Sequence, residues 1–239
     1  MALASTAVFS QPSTTSLNCT KLSLSNGMQL IVVENQEMPE ITWSLTLDYP
    51  AFLEGNQAGL KRVVSSMMAA GTAKHSEADI AQQIEALNAS FAATATGFKA
   101  TSPSAHSGDL LRLVSDVVLN PVFPQESLDR VMANMQSEVV NAPRLMEVVA
   151  SNLVRATTFG PFHPYGEVTT EESLSQITRE DLVRYHKTYF RPNVAFLTVV
   201  GNVTPDEAYA KANAHFGKWH RGDIPHTRIM PAKYPVCNQ

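Results

Sequence analysis

The sequence predicts an α+β fold in which helices cover a mostly antiparallel sheet. Two short apolar runs flank Asn26-Gly27, a dipeptide that is typical of two-residue hairpin turns. A second pair of β-rich runs lies on either side of Gly97. The remaining helical and strand patterns do not alternate as they do in parallel βαβ proteins. We therefore expect antiparallel pairs to dominate the sheet.

Each element in the first half of the chain has its own signal. Apolar and polar residues alternate over 41–49, as in a half-buried strand. Ser76 precedes a helical pattern and Asp79 follows three residues later, which is the spacing of a capping box. The predicted elements are a hairpin over 22–35, strands over 41–49, 90–96 and 98–104, and helices within 59–72 and 76–87.

Prolines separate the helices of the second half. Pro121, Pro124 and Pro143 lie between the helical patterns, as expected because proline is disfavoured inside a helix. A Thr-Pro pair at 204–205 indicates a capped helix start with proline in its first turn. The predicted elements are helices over 107–119, 125–140, 145–157 and 178–188, a loop over 161–166, a buried strand over 194–201 and a helix from 204.

Composition is that of a globular protein. Of the 239 residues, 44% are apolar and 17% are charged, and a chain of this length can bury a substantial core. A net charge of −4 and the lack of any basic run argue against nucleic-acid binding. No apolar run reaches the roughly 18–20 residues of a membrane span.

The most informative segment is 59–72. It has one apolar stripe with helical spacing, and Gly71 is placed where a left-handed C-terminal cap is expected. Its opposite face carries Arg62, Ser65 and Ser66, and this spacing directs three side chains towards one point. The stripe consists of Leu60, Val63, Val64, Met67 and Met68.

A helix that opens Gly-Leu and closes Gly-Thr resembles the active-site helix of the pitrilysin/insulinase-type zinc peptidases. This family includes the processing peptidases and has the LuxS/MPP-like fold, so the resemblance implies one such domain here. In active members this face carries H-x-x-E-H, in which two histidines bind zinc and the glutamate activates water. The matching positions are Arg62, Ser65 and Ser66. A guanidinium and two neutral hydroxyls are unsuited to these roles, so the resemblance implies no catalytic residue and no zinc cofactor.

The resemblance extends over about 19–219 and implies roles for other positions. Glu138 matches the third zinc ligand, whereas a second acidic position falls on Val131. One ligand of three cannot hold zinc tightly, so Glu138 is expected to pair with a cation or to face water. Arg62 could reach it, although an Arg62 that points into solvent is favoured. The strand that binds substrate in active members corresponds to a possible edge formed by Ala92, Ala93, Thr94, Ala95 and Thr96.

Three functions follow as hypotheses from the resemblance. The favoured one is a non-catalytic homologue that forms the partner or chamber-forming half of a peptidase complex and binds extended peptide by strand addition. The alternative is a structural assembly subunit like the core proteins of a respiratory complex. An active zinc metalloendopeptidase with a rearranged site is less favoured. Expected partners are the C-terminal half of the same subunit, a catalytic zinc-peptidase subunit or a second copy.

Three regions are predicted along the chain. Residues 1–18 are expected to be a disordered segment or the remnant of a signal peptide, which favours an exported, periplasmic bacterial protein. Residues 19–222 form the peptidase-like domain, and 223–239 begin an inter-domain linker. Cys19 and Cys237 could pair, but free thiols are favoured. The spacing of His215, His220 and His226 does not favour a relocated metal site.

Overall fold

The computed structural model describes residues 19–225 of the chain. The predicted leader at 1–18, most of the predicted linker at 223–239, and the residues His226 and Cys237 lie outside the described residues. Cys19 is exposed at the start of the first strand. Whether it pairs with Cys237 therefore stays a prediction.

Within residues 19–225, six strands form one mixed sheet with the order β1-β2-β6-β3-β5-β4. Only the β2–β6 pair is parallel, and the other four pairs are antiparallel. The predicted α+β class with a mostly antiparallel sheet is confirmed. The strands are β1 Cys19–Ser23, β2 Gln29–Glu34, β3 Glu40–Leu47, β4 Ser90–Thr94, β5 Gly97–Pro103 and β6 Ala195–Gly201.

The alternating sequence of β3 explains how the sheet is packed. Successive side chains of a strand point to opposite faces, so every second residue of β3 is buried. Trp43 lies at its centre, is fully buried and donates a hydrogen bond of 2.9 Å from Nε1 to the Ser107 hydroxyl. The buried residues of β3 are Ile41, Trp43, Leu45 and Leu47.

Eight helices accompany this sheet in the described part of the chain. Capping boxes at Ser76, Thr178 and Thr204 begin three of them, and the sequence predicts those at Ser76 and Thr204. The sequence does not predict the five-residue helix after Thr170, because a helix of little more than one turn is too short to show a periodic apolar pattern. The helices are α1 Leu60–Met67, α2 Glu77–Ala86, α3 Ser107–Leu119, α4 Gln125–Asn141, α5 Met146–Phe159, α6 Glu171–Ser175, α7 Arg179–Tyr189 and α8 Pro205–Phe216.

The predicted cap of α1 at Gly71 is wrong. The helix ends at Met67, and a turn follows in which the Ala70 N–H donates to the Met67 carbonyl over 3.1 Å. Gly71 has a φ of +150° and forms a bridge with Ser76, while its carbonyl accepts from the Val122 N–H over 3.1 Å. The chain leaves the helix early because these extended pairings use the backbone groups that a longer helix would need.

Within residues 19–225, the helices are all too short or too polar to cross a lipid bilayer.

Candidate functional site

A cleft of about 550 Å³ opens beside the degenerate face of α1. Helices α4 and α5 form its other walls, and the segment 167–169 closes one side. Arg62 and Glu138 lie in this cleft together with Arg155 and Glu167. The cleft therefore brings together two of the residues that the sequence singled out, Arg62 and Glu138.

Arg62 and Glu138 form an ion pair that joins α1 to α4. The Arg62 Nη2 atom contacts the Glu138 carboxylate, and the two side chains are 53% and 57% exposed. The favoured prediction, Arg62 directed into solvent, is therefore wrong, and the paired alternative is what the structure contains. Because both groups remain in contact with water, the pair contributes only about 0–1 kcal/mol to stability.

Ser65 has a structural role at the position that matches the family's glutamate. Its hydroxyl donates to the Lys61 carbonyl over 2.9 Å and accepts from the Ala95 N–H, also over 2.9 Å. Both partners are backbone groups, so this side chain fixes the turn after β4 against α1. Ser66, one residue later, is exposed.

The side chains of the cleft do not fit a zinc ion. Zinc sites use thiolate, imidazole and carboxylate ligands, usually three or four of them. Glu138 is the one such ligand retained, and its carboxylate is engaged by Arg62. No cluster of three or more His, Cys, Asp or Glu side chains able to hold a metal occurs in the region 19–225. Val131, where the family has an acidic residue, packs against the apolar core.

The predicted peptide-binding edge is shorter than expected. Strand β4 lies at the end of the sheet and pairs only with β5, so its outer side is an open strand edge. Ala92 and Thr94 are exposed there, but Ala95 and Thr96 belong to the turn that follows the strand. The Ala95 N–H is bonded to Ser65 and is not available for a peptide. The candidate edge is thus Ser90–Thr94.

A cluster of tyrosines holds the same turn from the other side. The Tyr185 hydroxyl donates to the Ala95 carbonyl over 3.2 Å and lies 2.5 Å from the Tyr49 hydroxyl. Tyr189 packs against the Tyr49 ring with centroids 4.8 Å apart. Burial raises the pKa of Tyr49 to about 12 and also raises the pKa of Tyr185. Both hydroxyls therefore remain protonated donors at neutral pH.

Two carboxylates that the sequence analysis missed fix the start of α1. Glu54 accepts from the Gly59 N–H over 2.7 Å and from the Lys61 N–H over 3.2 Å. Glu167 in turn accepts from the Glu54 N–H over 2.9 Å and the Gly55 N–H over 2.6 Å. Burial raises the pKa of Glu54 and lowers the pKa of Lys61. The sequence contains one indication of this contact, namely that Glu54 precedes α1, but its spacing is not that of a usual helix cap.

Arg155 connects the backbone beside Glu167 to the cleft wall. It donates to the Tyr165 carbonyl over 2.9 Å and to the Glu167 carbonyl over 3.1 Å. Helix α5, which carries Arg155, buries none of its residues fully. Hydrogen bonds to the backbone therefore hold this side of the cleft in place where apolar packing is sparse.

Two sequence profiles match the chain. The profile described as Insulinase (Peptidase family M16) matches residues 33–164, and the profile described as Peptidase M16 inactive domain matches residues 176–237. The first of these matches contains the walls that α1, α4 and α5 contribute to the cleft, including Arg62 and Glu138, and the segment 167–169 lies between the two matches.

Named relatives and solved structures are similar to this chain. An uncharacterized zinc protease of Mycobacterium leprae is 30% identical over 166 residues, 67% of this chain and 37% of that protein. A protein of Arabidopsis thaliana named "Probable mitochondrial-processing peptidase subunit beta" is 22% identical over 203 residues, 82% of this chain and 38% of that one. The chain therefore spans less than half the length of these relatives.

Crystal structures reproduce the fold. A peptidase M16 inactive domain from Pseudomonas fluorescens superposes with a TM-score of 0.81 at 25% identity, covering 90% of this chain and 54% of that one. A protease from Helicobacter pylori also gives a TM-score of 0.81, at 14% identity, covering 91% of this chain and 55% of that one.

Proposed function

This chain belongs to the insulinase-type peptidase family M16, and from that premise we propose that it is a non-catalytic member forming one half of a peptide-binding chamber. The observation that carries this proposal is what the side chains at the family's catalytic positions contact. Arg62 is paired with Glu138, the one retained ligand position, and Ser65 is bonded to backbone. Neither arrangement supplies a metal site or a general base.

The open edge of β4 supports a role in peptide binding. An extended peptide can add to a free strand edge through main-chain hydrogen bonds, which require no metal. The edge is also held in place, because Ser65 and Tyr185 fix the turn that follows it. A rigid edge loses little conformational entropy when a peptide binds.

The exposed apolar surface of α5 supports the proposal that a second half of the chamber packs against this domain. Met146 is 86% exposed, and Leu153 and Val154 are each 62% exposed. We call these residues, together with Leu145 and Val149, the α5 face. Contiguous apolar surface of this kind marks interaction sites in globular proteins. The partner we propose is a second domain of the same fold or a catalytic zinc-peptidase subunit.

The alternative function is a structural assembly subunit without peptide binding. The α5 face supports both functions equally, because an exposed apolar surface indicates a protein partner and does not require a bound peptide. Strand addition separates the two functions, since only a chamber-forming half needs the edge of β4. Residues 1–18 favour an exported protein, and this location is likewise a proposal.

Proline substitutions in β4 test the proposal. Adjacent N–H groups of a strand point to opposite sides, so one of Ala92→Pro and Ala93→Pro removes an outward donor while the other removes a bond to β5. Fluorescence polarisation with labelled extended peptides should show binding to the unaltered chain. The outward-facing variant should lose this binding with little change in thermal stability, and Ser66→Ala should bind as before. A chain that binds no extended peptide, or one that purifies with one tightly held zinc, would contradict the proposal.

A further inference from the structure

A second cavity, of about 320 Å³, lies apart from the Arg62 cleft and shares none of its lining residues. Helix α7, the α3–α4 connection and the segment after α8 line it, and it opens to solvent. Its walls combine the rings of Phe123, Phe190, Trp219 and His220 with the cationic side chains of Lys187 and Arg191. The proposed function makes no use of this cavity.

The charge of the cavity is unbalanced. Its lining includes Lys187 and Arg191 but no aspartate or glutamate. Neither cation forms an ion pair with a carboxylate of residues 19–225. The Nε atom of Arg191 is buried and has no hydrogen-bond partner there. A buried guanidinium nitrogen without a partner is unusual, because most such groups are hydrogen-bonded.

Neighbouring backbone holds the Arg191 guanidinium in place. A methyl group built on Gly222 would lie 2.4 Å from the Arg191 Nε atom and 2.7 Å from Cζ, so the two groups are in close contact. Gly222 is itself fixed, since its N–H donates to the Asn193 side chain over 3.1 Å. Arg191 is therefore packed against the segment after α8 at the wall of the cavity.

The aromatic wall is equally well defined. His186 Nε2 lies 2.8 Å from the Val118 carbonyl, so Nε2 carries the proton. The His186 ring stacks on Phe190 with centroids 4.6 Å apart. Arg179 donates to the Phe123 carbonyl over 2.8 Å and fixes that residue, whose φ is +45°. The cavity thus presents flat apolar surfaces beside two cations.

We infer that this cavity binds an aromatic carboxylate, either as a free acid or as the C-terminal residue of a peptide. Its volume is at the lower end of small-molecule sites and suits one aromatic group. The planar guanidinium of Arg191 matches a carboxylate geometrically, and Lys187 adds a second positive charge. The Trp219 ring provides a face on which the aromatic group packs.

The test uses the full chain and two matched pairs of probes. One pair is 3-phenylpropionate and 3-phenylpropionamide, and the other is N-acetyl-Ala-Phe with a free or an amidated C-terminus. Trp219 lines the cavity while Trp43 is fully buried, so tryptophan fluorescence reports binding there. Both free acids should give a saturable change that Trp219→Phe abolishes. Each amide should bind about tenfold more weakly or worse, because it loses the charge-assisted bond.

Three variants locate the site. Arg191→Gln removes the charge, and Gly222→Ala keeps every charge but displaces the guanidinium. Each should weaken binding of the acids about tenfold or more. Lys218→Gln removes an exposed charge outside the lining and should leave binding unchanged. Thermal unfolding confirms that each variant is folded.

The relative affinity of the two acids identifies the source of the carboxylate. Tighter binding of the acetylated dipeptide supports a peptide C-terminus, and tighter binding of 3-phenylpropionate supports a free acid. No saturable change with either acid, or equal affinity for acid and amide, would overturn the inference. Unchanged binding by both Arg191→Gln and Gly222→Ala would also overturn it.

Discussion

Arg62 puts a fixed positive charge beside the one acidic residue that the degenerate motif retains. In a metal site Glu138 would share a dication with other ligands, whereas here a single guanidinium neutralises it. A guanidinium has donor N–H groups and no acceptor, so Arg62 does not replace the glutamate that activates water in active members. Arg62 therefore balances the charge of Glu138 without supplying a metal ligand.

A double-mutant cycle on Arg62 and Glu138 should give a small coupling energy. With Arg62→Ala, Glu138→Ala and the double variant, urea unfolding should yield a coupling below about 1 kcal/mol, because both side chains are more than half exposed. High salt should reduce it further. A coupling of about 2 kcal/mol or more would mean that the pair is shielded from water and would contradict the geometry described above.

Ser65→Ala should destabilise the fold far more than Ser66→Ala. The first change leaves the Ala95 N–H without its partner, at a cost of about 1–3 kcal/mol. Ser66 is exposed, so its replacement should change the free energy of unfolding by less than about 0.5 kcal/mol. Urea titration of the two variants measures the difference directly. Equal effects would show that the Ser65 bond contributes nothing.

Among the elements, the turn after β4 collects contacts from three directions. Helix α1 supplies Ser65, the end of β3 leads into Tyr49, and α7 supplies Tyr185. Ser65 and Tyr185 bind the backbone of Ala95, and Tyr49 holds the Tyr185 hydroxyl through the 2.5 Å contact between the two oxygens. The open strand edge is therefore anchored at the end nearest α1.

This arrangement predicts a loss of stability at high pH. The pKa of Tyr49 is about 12 in the folded protein and about 10 in an unfolded chain, so the unfolded state releases the proton first. The free energy of unfolding should therefore fall as the pH rises from 10 towards 12. Chemical denaturation at several pH values measures this decline, and Tyr49→Phe should make it shallower. A decline that Tyr49→Phe and Tyr185→Phe leave unaltered would assign it to other groups.

Restoring the motif on α1 should return metal binding without efficient catalysis. Arg62→His, Ser65→Glu and Ser66→His place two imidazoles and a carboxylate on one helix face, and Glu138 is freed of its partner. Elemental analysis should find bound zinc. Cleavage of unstructured peptides should stay negligible, because Val131 packs in the core and Ser65 no longer anchors Ala95. Turnover near ~1 per second would contradict this.

Local signals were sufficient to predict most of the elements. The alternation in β3 and the helix caps at Ser76 and Thr204 depend on neighbours within a few residues, and the structure contains all three. The contacts of the candidate site join residues that are far apart in the sequence, so local sequence patterns did not predict them. The partner of Arg62 lies on another helix, and Glu167 reaches Glu54 from far along the chain. Gly71 was misread because its true partners lie beyond α1.

At the scale of the whole molecule, the α5 face is surface that this domain alone does not cover. It follows that substitutions there should be tolerated. Leu153→Lys with Val154→Lys should change the free energy of unfolding by less than about 0.5 kcal/mol, since both side chains are largely in water already. Binding of a hydrophobic dye and self-association should both decrease. Leu113→Lys, on the buried face of α3, should unfold the protein and serves as the matched control.

The position of β6 has a consequence for how the chain reaches its native state. This strand comes late in the sequence but lies between β2 and β3, which are made much earlier. During synthesis on the ribosome, both early strands must wait with unpaired edges until residue 201 has emerged. Unpaired strand edges can pair wrongly or aggregate, so we expect chaperones to bind the nascent chain. For the same reason, a cut between residues 164 and 176, where the two matched profiles separate, would divide one sheet rather than release two folding units.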